Sequence, residues 1–120
     1  MAWTELDERE RAVVRECLRA AVDGPFFPEW EFATIFGLGR NEVRKVLESW
    51  PQLDESDENV AIAINNTLNN FLGYPLGEDQ AAWPQLISVS RAELMAIFDK
   101  WKRRTPRTAW KPRDYFEDAR

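Results

Sequence analysis

A chain of 120 residues with 16 basic and 21 acidic side chains, a formal net charge of −5 and 44% hydrophobic residues is expected to fold as one globular domain. It holds no histidine and a single cysteine, Cys17, which excludes an internal disulfide, the usual structural zinc sites and every nucleophile activated by a histidine. No apolar run approaches the roughly 20 residues of a membrane-spanning helix, and the first residues lack the basic and apolar regions of a secretion signal, so no membrane partner and a cytoplasmic location are expected.

In chain order, Thr4 with Asp7 three residues on forms a capping pair that opens a helix over about 5–22. Its apolar stripe is Leu6, Val13, Val14, Cys17, Leu18 and Ala21, at spacings of three, four and seven. Arginines at 9, 11, 15 and 19 alternate with glutamates at 5, 8, 10 and 16 on the other face, an ordinary solvated surface. Asp23, Gly24 and Pro25 stop the helix, with Gly24 suited to the left-handed position after its end. Pro28 can serve as the first residue of a helix over 28–36. Gly37, Leu38 and Gly39 break it, and a third helix runs from about 40 to 49, closed by Trp50 and Pro51.

An acidic loop follows, with carboxylates at Asp54, Glu55, Asp57 and Glu58. It is not a calcium loop of the EF-hand type, because its sixth and twelfth positions, counted from Asp54, are Asn59 and Asn65 in place of glycine and glutamate. A fourth helix, 59–72, buries Val60, Ile64, Leu68, Phe71 and Leu72. Residues 73–89 are rich in glycine, proline and aromatics and read as irregular, with 86–90 a weak strand signal. Ser90 and Glu93 form a capping box for a fifth helix striped by Leu94, Ile97, Phe98 and Trp101 and ended by Thr105 and Pro106. The expected fold is therefore all-α: a compact single-domain bundle of about five helices over 1–104. Residues 105–120 form a basic and aromatic extension, either packed on the bundle or partly mobile.

Residues 29–48 resemble the helix-turn-helix family mask. Ala33 stands at the position where the two helices cross, Gly37 at the turn, and Phe32, Phe36, Leu38, Val43 and Val46 at the hydrophobic anchors. The resemblance implies that Gly39, Arg40, Asn41, Arg44, Lys45 and Glu48 face the major groove. Arg40, Arg44 and Lys45 would then meet guanine edges or phosphates, and Asn41 adenine. It covers 20 of the 120 residues. The charge pattern runs against it: residues 49–99 hold one basic and eight acidic side chains, whereas a DNA reader presents a basic footprint.

Three further features each carry two readings. Residues 100–113 contain seven basic and no acidic side chains, with Trp101 and Trp110 interleaved. They could track a phosphate backbone, or lie across the chain's own acidic middle. Asn65 stacks above Asn69 and Asn66 above Asn70 on one helix. These poor interior helix formers either fix the 73–89 segment or form a polar recognition strip. Tryptophans at element ends, such as Trp50 and Trp83, are core edge or binding anchors.

An acidic, small, histidine-free helical domain also loosely resembles bacterial immunity proteins and antitoxins, which cover and neutralise a toxin. The resemblance implies a non-enzymatic protein-interaction module that binds a basic partner protein. The candidate contact residues are Asp54, Glu55, Asp57, Glu58, Asn66, Asn70 and Trp83. The alternative is a DNA-binding transcriptional regulator acting through Arg40, Asn41, Arg44 and Lys45, with nucleic acid as its partner. No catalytic carboxylate pair is singled out by spacing, and no cofactor or metal is expected.

Overall fold

The computed structural model describes residues 5–54 and 56–104. Helix α1 (Glu8–Asp23) begins one turn later than Thr4 predicts, because Asp7 and Glu10 form the capping box. The Glu10 N–H donates to the Asp7 carboxylate at 2.7 Å, and the Asp7 N–H donates to the Glu10 carboxylate at 2.8 Å. Thr4 lies outside the described residues. The expected stripe is buried, with Val13, Val14, Cys17, Leu18 and Ala21 all under 3% exposed. Gly24 follows in extended backbone (φ −87°), not in the left-handed conformation expected. Glycine is needed there for a different reason: a Cβ would stand 2.5 Å from the Ala20 carbonyl oxygen.

Helix α2 (Glu29–Phe36) starts after Pro28, which sits at the capping position rather than inside the helix. It stops at Gly37, whose φ of 74° is the left-handed conformation that a side chain would strain. Helix α3 (Arg40–Glu48) opens with the Gly39 N–H donating to the Glu42 carboxylate at 3.0 Å. Helix α4 (Glu58–Gly73) is capped by Asp57, which accepts from the Asn59 N–H at 2.9 Å. Ten residues of α4 are buried, and it packs against α1, α2, α3 and the last helix, so it is the centre of the bundle.

The 73–89 stretch is more regular than its composition suggests. A 3-10 turn, Gly77–Ala82, leads into the short α5 (Trp83–Leu86). The expected weak strand does not form: among the described residues there is none, and Ile87 and Val89 are simply buried. The Ser88 N–H and hydroxyl both donate to Glu16 of α1, at 2.9 and 2.8 Å, which ties this segment down. Helix α6 (Arg91–Arg104) has Ser90 accepting from the Glu93 N–H at 3.2 Å, but the Glu93 carboxylate turns to Arg9 at 3.3 Å. The architecture is thus an all-α globule of six helices among the described residues, around an aromatic cluster. Phe26, Phe27, Phe36, Tyr74 and Trp83 meet Phe71 or one another edge-on, with ring centroids 5.0–5.6 Å apart.

One device recurs at two helix ends. The carbonyl of Ala21 in α1 has proline, Pro25, four residues on, and the carbonyl of Phe71 in α4 has Pro75. Proline offers no N–H to those oxygens. Neither helix has a basic residue in its last turn. Arginines from elsewhere fill both gaps: Arg40 donates to Ala21 O and Val22 O, and Arg91 to Phe71 O and Leu72 O. Each places a cation on the negative end of a helix dipole.

Candidate functional site

The α2–Gly37–α3 corner forms, with all five anchors, Phe32, Phe36, Leu38, Val43 and Val46, buried. Ala33, however, is exposed and does not sit at a helix crossing. The buried side of α2 is Phe32, Ile35 and Phe36, which turns Ala33 to the surface. Both arginines expected to read bases are engaged within the chain, Arg40 inward and Arg44 at the surface. Arg40 donates to the carbonyls of Ala21, Val22 and Phe27 at 2.8–2.9 Å. Its guanidinium also pairs with Glu29 at 2.6 Å and lies 4.3 Å from the centre of the Phe32 ring. Its side chain is 17% exposed, so Arg40 is a clamp between α1, α2 and α3 and not a base-reading residue. Arg44 pairs with Asp23 at 3.0 Å. Asn41 and Lys45 remain exposed.

The asparagines are also internal. Asn66 and Asn70, expected among the partner contacts, are 2% and 1% exposed. Asn66 Nδ2 donates to Phe36 O at 2.6 Å, and Asn70 Nδ2 to Ile35 O at 3.0 Å. They satisfy the last carbonyls of α2, which Gly37 ends without other donors for them. Their target is thus α2 and not the 73–89 segment. Trp83 is corrected in the same way: it is 6% exposed, packs edge-on to Phe71 and donates its indole N–H to Val89 O at 2.7 Å. None of these three can meet a partner without unfolding its surroundings.

The acidic loop stands differently. Asp54, Asp57 and Glu58 are exposed, as is Glu48 at the end of α3, while Glu55 lies outside the described residues. Asp54 accepts from the Ser56 hydroxyl and from its N–H at 2.9 Å, and these bonds hold its carboxyl below the usual carboxylate range. Asp57 caps α4. Among the described residues none of these four carboxylates takes part in an ion pair. The basic stretch of the extension, from 105 onward, lies outside the described residues, as does Trp110.

Cys17 is fully buried, and burial pushes its thiol well above the ordinary range, with Glu16 adding to the shift. A thiol in that state is not a nucleophile. Among the described residues no cluster of three or more cysteines and carboxylates is placed to hold a metal, and no helix is long and apolar enough to cross a membrane.

Trp30 belongs to the aromatics at element ends, which the sequence reads as core edge or binding anchor without singling it out. It is 81% exposed. The signal was present in the helical period, since Phe32, Ile35 and Phe36 define the buried stripe of α2 and Trp30 falls opposite them. Set against known protein families, curated proteins and solved structures, the chain matches none of them.

Proposed function

We propose that the chain is a non-enzymatic protein-interaction module, an inhibitor of the immunity or antitoxin kind acting in the cytoplasm, that captures a basic partner protein on its α3–α4 corner. The observation that carries this reading is the state of the corner's charge. Glu48, Asp54, Asp57 and Glu58 face solvent with no ion-pair partner among the described residues. Clustered exposed carboxylates steer a basic protein toward the surface and speed its capture. The buried, protonated Cys17 and the lack of any histidine support a role without catalysis.

DNA binding by a helix-turn-helix is the second reading. The left-handed turn at Gly37 and the exposed Asn41 and Lys45 favour it. The engagement of Arg40 and Arg44 by α1 and its following loop weighs against it. Affinity capture from native lysate, split with and without nuclease, separates the two. A stoichiometric, nuclease-resistant protein supports the first reading, and recovery that depends on nucleic acid supports the second.

A further inference from the structure

We draw no further inference here: the strongest candidate, the buried side-chain oxygens of Thr67 and Asn70 on the central helix α4, which find no hydrogen-bond partner among the described residues, carries nothing, because Asn70 already belongs to the contact that holds the end of α2 and nothing in the structure shows what either oxygen would bind.

Discussion

Replacing Arg40 with alanine separates a structural clamp from a base-reading residue. The side chain gives three hydrogen bonds to the carbonyls of Ala21, Val22 and Phe27, all at 2.8–2.9 Å. Bonds to a charged donor contribute about 1.5–3 kcal/mol each, but these three share one guanidinium and water reaches some of the freed oxygens, so the expected loss is about 3–4 kcal/mol. The Ala21 carbonyl suffers most, because Pro25 cannot replace the donor. The ion pair with Glu29 adds little, since that carboxylate is 78% exposed. Glu29→Gln should therefore cost under about 1 kcal/mol. Arg40→Lys keeps the charge but loses the fork, and should fall between the two. Urea unfolding followed by circular dichroism is the assay. With a slope of about 1–3 kcal/mol per molar, Arg40→Ala should lower the midpoint by at least about 1 M. A midpoint equal to the parent's would refute the clamp and return Arg40 to the surface.

Asn66→Ala and Asn70→Ala should each cost about 1–3 kcal/mol in the same assay, because Phe36 O and Ile35 O lose buried donors; neutral substitutions would mean the asparagines are not holding α2. Ala33→Leu, which would overpack a helix crossing, should instead change stability by less than about 0.5 kcal/mol, since the position is exposed; a large loss on thermal melting would restore the crossing. Tyr74 donates to Glu31 at 2.6 Å, which together with burial pushes its phenol up to about 12. The folded state thus favours the protonated phenol, and this stabilisation is fully present below the unfolded value of about 10 and lost as pH rises toward 12. Tyr74→Phe should flatten the alkaline fall in stability, and an identical pH profile for the two proteins would contradict the bond. Neutralising the corner with Asp54→Asn, Glu55→Gln, Asp57→Asn and Glu58→Gln should leave stability within about 1 kcal/mol, because asparagine caps α4 as well as aspartate does and only the charge at the helix start is lost. A melt far below the parent's would mean the carboxylates serve an internal contact.

The helices were legible because their ends are local. Asp7, Gly37, Asp57 and Ser90 cap or stop elements through partners within four residues, and the apolar stripes of α1, α4 and α6 follow the helical period. The functional assignments on Arg40, Asn66, Asn70 and Trp83 were not, because their partners are remote or conformational. Asn70 reaches a carbonyl 35 positions away, and Arg40 joins α1, α2 and α3 through oxygens that no side-chain pattern displays. The mask on 29–48 located the turn and the anchors correctly. Its crossing position depends on how α2 rotates about its axis, and the burial of Phe32, Ile35 and Phe36 turned Ala33 outward. Polar residues in a helix interior carry the same letters whether they meet solvent or a neighbouring helix end.

The central claim is that the α3–α4 corner recruits a basic protein. The most direct test is the association rate of the captured partner with the parent and with the corner-neutralised variant, measured across ionic strength. Steering predicts a rate lower by about ten-fold or more at low salt, with the difference shrinking as the field is screened. Equal rates for the two proteins at low salt would contradict the claim and leave the corner without a role in capture.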